Sequence, residues 1–376
     1  MRAIQPRLYY IDWIRIIAFS LLILLHGIVP FTAIPWEINN SERSAWLTRF
    51  VFWLHQWRLP LLFFVSGLGI NLSMKSRSLG SFYGERFRRL FIPLLFAMFF
   101  IIPIQPYFEF LQKGKINPGY WSFYQQVWEL KVYPNGPLTW SHMWFVVYLI
   151  AFILVMFPLF LLGKQKWVAE KRARLEDHLG SPALLTIAVL PIIGIIYTLS
   201  MEYPENGSLT EDWFAFTLFI TMLVYGYLVG ASHTFWNQAA RYRWITGGIA
   251  LITGIILLLT YWTPIPVFTV KDNRFMMYCV LNGLHIWSMI LFWCGMARQH
   301  LNKPSPVLRY LNEAVYPYFI IHQTIIVALG YYIVQWQMPL MIKCILLISL
   351  SVLMIMATYH LVIRKTKVTR FLFGMK

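Results

Sequence analysis

Arg15 and His26 stand eleven positions apart in an apolar stretch that runs from Ile11 to Ile34. On a helix, at about 100° and about 1.5 Å per residue, that spacing returns nearly to the same face about 16 Å further along. One stripe therefore carries a fixed cation near one end and a titratable imidazole toward the other. Ionisable groups inside a membrane span are costly and tend to be functional, and Asp12, three residues before Arg15, supplies a same-face partner for the cation. The alternative is that Arg15 snorkels to the headgroups and His26 is a hydrogen-bonded packing residue.

Three more histidines lie in or beside apolar stretches: His55 with Arg58 one turn later, His142 in the run His142-Met143-Trp144-Phe145, and His322. Measured from Asp12, His26 lies about 21 Å along its helix, which puts it in the outer half at one depth with His55 and His142. Imidazole is a common metal ligand. None of these histidines comes as a pair on one helix, however, and no acidic or thiol residue accompanies them at metal spacing, so no metal site is expected. A neutral imidazole with an unperturbed pKa of about 6.5 is suited to take a proton from a hydroxyl. Glu313 lies nine residues before His322 and so faces the opposite side of that helix, which excludes a direct pair within it.

On the other side of the membrane the informative run is Glu85-Arg86-Phe87-Arg88-Arg89-Leu90-Phe91-Ile92-Pro93. Arg86 and Arg89, one turn apart, present guanidinium forks that suit phosphate oxygens. Arginines at the foot of a span also serve as cytoplasmic anchors. The small residues of Phe63-Phe64-Val65-Ser66-Gly67 allow two helices to approach closely.

The elements that must position these groups follow from composition. Of 376 residues, 59% are hydrophobic and 12% charged, with 17 Trp, 21 Tyr and 29 Phe, far from soluble averages. Taking about 20 apolar residues per crossing, ten stretches can span: roughly 11–34, 52–74, 90–108, 142–163, 182–201, 213–236, 244–262, 276–297, 313–336 and 340–363. The expected fold is an all-α, polytopic transmembrane bundle forming one integral domain over residues 1–376. The first stretch is too long for a cleaved signal and lacks a small-residue cleavage site.

The net charge of +17 does not indicate nucleic acid, because its distribution is lopsided. Loops sharing a side with both termini hold 22 of the 32 basic residues, the opposite loops 7, and spans the remaining 3. That bias puts both termini in the cytoplasm. Cys279, Cys294 and Cys344 all fall within spans, so neither a disulfide framework nor a thiolate metal site is expected. The segment from Glu109 to Ser141 carries Tyr120, Trp121, Tyr124, Trp128, Tyr133 and Trp140, a composition for a carbohydrate-stacking lid or for an aromatic membrane belt. Buried Arg and His would also serve an anion or glycan carrier. Against that, the chain has no internal repeat and no paired broken helices.

Several of these residues occur together in an order that resembles the acyltransferase 3 family. They are Ile11-Asp12-Trp13-Ile14-Arg15, the ten residues from Arg15 to His26, Phe64-Val65-Ser66-Gly67, Arg86-x-x-Arg89 before Pro93, His142-x-Trp144-Phe145, and Tyr316-Pro317-Tyr318-Phe319-Ile320-Ile321-His322. The resemblance covers about residues 8 to 325. Within the family, Phe52 to Arg58 and the closing Ile321-His322-Gln323 look most like the branch that succinylates periplasmic glucans. The chain departs from the wider family at Ala314 and Val315, where a serine often precedes the last motif, and in having no fused esterase-like domain.

The resemblance implies an O-acyltransferase in a bacterial inner membrane, surrounded by lipid. It would take an acyl group from cytoplasmic acyl-CoA, with succinyl-CoA favoured and acetyl-CoA the alternative, and deliver it to a hydroxyl of an extracytoplasmic glycan. It further implies His26 as general base with His142 as orienting partner or alternate base, and Arg15, Arg86 and Arg89 as donor-binding residues. His55, Arg58, Trp144 and His322 are the expected substrate-binding residues, Arg58 because no acidic residue lies on its own helix turn and a succinyl carboxylate could fill that role. Glu37 or Glu42 is the alternative partner for Arg58.

Overall fold

The computed structural model describes residues 8–375 apart from 76, 164, 166, 169, 170, 172–177, 179, 231 and 263–267. In chain order the helices are α1 (Tyr9–Phe31), α2 (Ala45–Met74), α3 (Leu79–Gln112), α4 (Tyr120–Trp128), α5 (Ser141–Val155), α6 (Phe157–Gly163), α7 (Pro182–Leu199), α8 (Trp213–Val229), α9 (His233–Thr260), α10 (Asn273–His300), α11 (Pro306–Ile333), α12 (Leu340–Ile363) and α13 (Lys367–Leu372). Among the described residues no β-sheet is present.

Eight of these, α1 to α3, α7 and α9 to α12, are long and apolar enough to cross a membrane. The pair α5 and α6 makes a ninth candidate, bent by 49°, where Pro158 can neither donate to the preceding turn nor fit beneath its carbonyl. The 17-residue α8 is a shorter apolar helix. The ten expected stretches are thus largely helical among the described residues, the fourth as two bent helices and the sixth ending at Val229, and the protein is a polytopic helical membrane bundle. Boundaries shift where caps decide them. Thus α9 starts at His233 and not near 244, because the Ser232 side chain accepts from the Phe235 N–H and supplies the N-cap.

The chain groups into two compact units. The first comprises Met1–Ala18, Trp53–Leu79 and Ala151–Tyr310, and the second Phe19–Phe52, Gly80–Ile150 and Leu311–Lys376. Within the first, α2 and α8 cross at two glycines. A β-carbon on Gly67 would lie 2.0 Å from the Leu223 carbonyl oxygen, and one on Gly226 would lie 1.9 Å from that of Phe64. This is the close approach that small residues permit between membrane helices.

Within the second unit, α3 contains two wide π turns, Phe87–Phe91 and Ala97–Ile101. Each ends two residues before a proline: the Ile92 N–H reaches back to Phe87 and the Ile102 N–H to Ala97, ahead of Pro93 and Pro103. A proline inside a helix removes a donor and crowds the turn before it, and a wide turn relieves that crowding while leaving carbonyls for other partners. Two such carbonyls are used. Phe99 accepts from the Tyr124 hydroxyl at 3.1 Å, and Ile101 accepts from the Thr324 hydroxyl at 3.3 Å.

Candidate active site

Three histidines converge in the second unit. His26 sits in the last regular turn of α1, just before a short 3-10 turn at Val29–Phe31 that begins the outer loop. His322 lies on α11 five residues after Pro317, and His142 lies in the opening 3-10 turn of α5. The His322 ring centroid is 5.1 Å from that of His26, nearly parallel, and 5.1 Å from that of His142, perpendicular. The Phe319 ring packs against both His142 and His322 at 5.7 Å.

The protonation pattern follows from the partners. The Nδ1 of His322 lies 2.6 Å from the Phe319 carbonyl oxygen, which can only accept, so the proton of neutral His322 is on Nδ1. Its Nε2 is then an acceptor, and it lies 3.0 Å from Nδ1 of His26. His26 accordingly donates from Nδ1 and carries its lone pair on Nε2. Such a pair can act chemically as a base with a second imidazole behind it as orienting group. His322 is 0% exposed and His142 5% exposed, whereas His26 is half-buried, so of the three rings His26 is the one with surface to offer a substrate.

His142 is placed differently from a base. Its Nε2 lies 3.0 Å from the Ile320 carbonyl oxygen and therefore donates. Its Nδ1 accepts from the Gln105 amide at 3.2 Å. With both nitrogens committed to Gln105 and Ile320, His142 ties α3, α5 and α11 together.

A polar network surrounds this set. The Gln105 amide donates to the Thr324 hydroxyl at 2.6 Å, and its oxygen accepts from the Ser141 hydroxyl at 2.7 Å. Ser141 adopts φ of +37°, a conformation that costs a non-glycine residue about 1–3 kcal/mol and is typical of functional sites. Gln323 donates to Gln105 and Ser141, both at 3.3 Å, and to Oε1 of Glu37 at 2.7 Å.

Glu37 comes from the loop after α1, which is tied down on several sides. The Asn40 N–H donates to the Pro30 carbonyl, Asn39 and Gln112 exchange two hydrogen bonds, and the buried Lys343 ammonium donates to Asn40 Oδ1 at 3.1 Å and to the Val334 carbonyl at 3.0 Å. Trp36 of the same loop packs 5.7 Å from the His26 ring. Among the described residues Oε2 of Glu37 is buried with no hydrogen-bond partner.

Burial pushes the Glu37 carboxyl up to about 7, helped by the charge of Glu109 and opposed by its own backbone N–H, by Gln323 and by Lys113. A carboxyl raised on folding is stabilising while protonated. Its contribution is complete below the ordinary value of 4.5 and is lost as pH rises through about 7. Between about pH 4.5 and about pH 7 the melting temperature of the wild type should therefore fall relative to that of Glu37→Gln, with little further change above. Parallel profiles would show that Glu37 does not titrate there.

The other expected site residues are distributed as follows. Arg15 bonds Asp12 at 3.4 Å across one turn of α1. Arg89 lies 3.7 Å from Glu85, and the Arg86 guanidinium stacks 5.1 Å over Phe82. The π turn at Phe87–Phe91 intervenes, so these two arginines are not separated by a regular α turn. Trp144 packs edge-on against Tyr148 at 5.2 Å. Glu313 pairs with Arg370 at 3.2 Å. Among the described residues no three His, Cys, Asp or Glu side chains are placed to share a metal ion.

His55 and Arg58 belong to the first unit. Oε2 of Glu205 lies 3.1 Å from Nε2 of His55, and the charge of that carboxylate also acts on Arg58. Burial pushes the Glu205 carboxyl up, but the charge and hydrogen bond of His55 and the charge of Arg58 outweigh it and hold it below its ordinary value. The loop that presents Glu205 is fastened by Asp212, which accepts from the N–H groups of Asn206, Gly207 and Ala215. Arg58 is 2% exposed, and among the described residues its Nε and Nη1 have no hydrogen-bond partner.

Sequence comparison adds an independent finding. The sequence model of the acyltransferase domain family, acyltransferase 3, matches residues 8–360. The chain is 26% identical over 256 residues to the glucans biosynthesis protein C of Salmonella schwarzengrund (strain CVM19633), an alignment covering 64% of this chain and 62% of that protein. It is 25% identical over 256 residues to the protein of that name from Salmonella typhimurium (strain LT2), with the same coverage. To that of Salmonella paratyphi A (strain ATCC 9150) it is 28% identical over 204 residues, covering 53% of this chain and 48% of that protein. The chain thus spans about three fifths of the length of the first of these relatives. No solved structure matches it. With nearly its whole length matched, the chain belongs to the acyltransferase 3 family of membrane acyltransferases.

Proposed function

We propose that this protein transfers an acyl group, succinyl in preference to acetyl, from cytoplasmic acyl-CoA to a hydroxyl of a glucan or related polysaccharide outside a bacterial inner membrane. The observation that carries the reading is the hydrogen bond from His26 Nδ1 to His322 Nε2, which leaves the lone pair of His26 on Nε2. In the proposed reaction that lone pair takes the proton of the acceptor hydroxyl while the hydroxyl oxygen attacks the thioester carbonyl carbon. A C–O bond forms and the C–S bond breaks. The departing thiolate then takes the proton back from the imidazolium, so that His26 is base and acid in turn. Oε2 of Glu37 and the amide of Gln323 are suited to a second hydroxyl of the same sugar, because a buried carboxyl oxygen without a partner is costly until a donor fills it.

The succinyl preference is supported by the family resemblance and by the name of the curated relatives, which refers to glucans. Arg58 carries less of this preference than the sequence suggested, since the charge of Glu205, a carboxylate of the chain itself, already acts on it. Arg58→Gln should therefore lower succinyl-CoA and acetyl-CoA turnover by the same factor, and a loss confined to succinyl-CoA would restore to Arg58 the role of carboxylate reader. The reading as a whole is tested with purified protein, each acyl-CoA and a β-glucan. Free thiol should be released only when the glucan is present, and the mass increment of the glucan names the group transferred. Thiol release independent of the acceptor would contradict the proposal.

A further inference from the structure

In the first unit, the early turns of α9 and the last turns of α10 flank an open cavity of about 570 Å³. Arg241 and Arg243 line it from α9, Arg298 and His300 from α10, and Lys303 from the chain just beyond. The remaining lining side chains are amides and one alanine, and among the described residues no carboxylate lines it. The helices come close because Gly295 has no side chain: a β-carbon there would lie 2.2 Å from the Ala239 carbonyl oxygen and 2.9 Å from Cβ of Arg243.

The guanidiniums are held by contacts that leave their charge unneutralised. Arg243 donates to the Ala240 carbonyl at 2.5 Å and stacks 5.6 Å over Trp244, and its buried Nε has no partner among the described residues. Arg298 stacks 5.3 Å over Tyr10, and Arg241 5.6 Å over Tyr242. Elsewhere on the chain exposed cations meet acids, as in Arg15 with Asp12 and Arg370 with Glu313. Cytoplasmic anchoring explains basic residues on this side of a bundle, but anchors reach outward to separate headgroups. Four permanent cations around one concavity repel one another until an anion enters, and a cavity walled by one sign of charge focuses its field on such an anion.

We infer that this cavity binds a multiply phosphorylated ligand, with Arg243 and Arg298 as the forks that hold its phosphates. Two sources share that chemistry: the nucleotide end of coenzyme A, with a diphosphate and a 3′-phosphate, and the headgroup of an anionic lipid, for which basic pockets between membrane helices are known receptors. The first source rests on the acyl-CoA reading above and assigns donor phosphates to residues other than Arg86 and Arg89. The volume lies in the range of small-molecule pockets.

The test uses the full-length protein in neutral detergent and in nanodiscs, with R243Q/R298Q, the charge-retaining R243K/R298K, and melting curves to establish that each variant is folded. Coenzyme A and dephospho-coenzyme A, which lacks the 3′-phosphate, are titrated in detergent, and phosphatidylglycerol is competed against phosphatidylcholine in nanodiscs. Loss of one charge-assisted contact lowers affinity by about tenfold. R243Q/R298Q should accordingly weaken coenzyme A by about a hundredfold, dephospho-coenzyme A by less, and R243K/R298K should recover part of the loss. If coenzyme A binds the folded R243Q/R298Q variant as it does the wild type while phosphatidylglycerol selectivity is lost, the cavity is a headgroup site and the donor reading stands on other residues. If the wild type binds no coenzyme A, the donor reading fails and phosphatidylglycerol selectivity alone judges the cavity. A folded R243Q/R298Q variant unchanged toward both probes overturns the inference.

Discussion

Replacing His26 with alanine is expected to lower kcat by about 10²- to 10⁴-fold, the usual contribution of a positioned general base, while expression, membrane insertion and acyl-CoA binding stay as in the wild type. The size of the effect follows from geometry. His322 is fully buried, and both nitrogens of His142 are occupied by the Ile320 carbonyl and the Gln105 amide, so neither ring can take over from the half-buried His26. His142→Gln should be milder, because it disturbs the register of the network and leaves the base in place. Turnover by well-folded protein at saturating substrate decides the matter, and a His26→Ala enzyme with wild-type kcat would remove His26 from the mechanism.

The second large effect is expected at His322, a positioning residue. Its Nδ1–H is fixed by the Phe319 carbonyl, so Nε2 must accept from His26. His322→Leu removes that acceptor from a fully buried position. His26 then loses the bond that sets its tautomer and that would stabilise its imidazolium after proton uptake, and kcat should fall by about 10²-fold or more. KM for the donor should change little, because the interaction lost is one that strengthens toward the transition state. His322→Gln offers an amide oxygen at a similar reach and should recover part of the rate. Equal losses in both variants, or a rise in KM with kcat preserved, would assign His322 to packing.

The sequence carries the fold because each crossing needs a continuous apolar run, and the ten runs are largely helical among the described residues. It carries the ends less well. The bend after Val155 depends on Pro158, the start of α9 on the Ser232 cap, and the two π turns of α3 on Pro93 and Pro103, all of which act locally and leave hydropathy unchanged. His26, His142 and His322 could be picked out one by one as costly residues in spans. Their meeting could not, because the partners are separated by 296 positions in one case.

Glu37, Gln105, Ser141 and Thr324 were not distinguishable from ordinary polar residues of loops and helix ends. The available signals were faint: an amide at Gln105 within an apolar run, and Gln323 directly after His322. Glu205 lies 150 positions from His55, so no local pattern in the sequence pairs the two. The sequence shows the bias of basic residues toward one side, and only the folded chain gathers Arg241, Arg243, Arg298, His300 and Lys303 around one cavity.

The most direct test of the central claim uses sealed proteoliposomes with a single protein orientation, radiolabelled succinyl-CoA inside and glucan outside. The wild type should yield base-labile, ester-linked label on the external glucan together with an equal amount of coenzyme A inside, and His26→Gln should yield neither. External ester formed at the wild-type rate by His26→Gln, or label that crosses without becoming attached to glucan, would contradict the account.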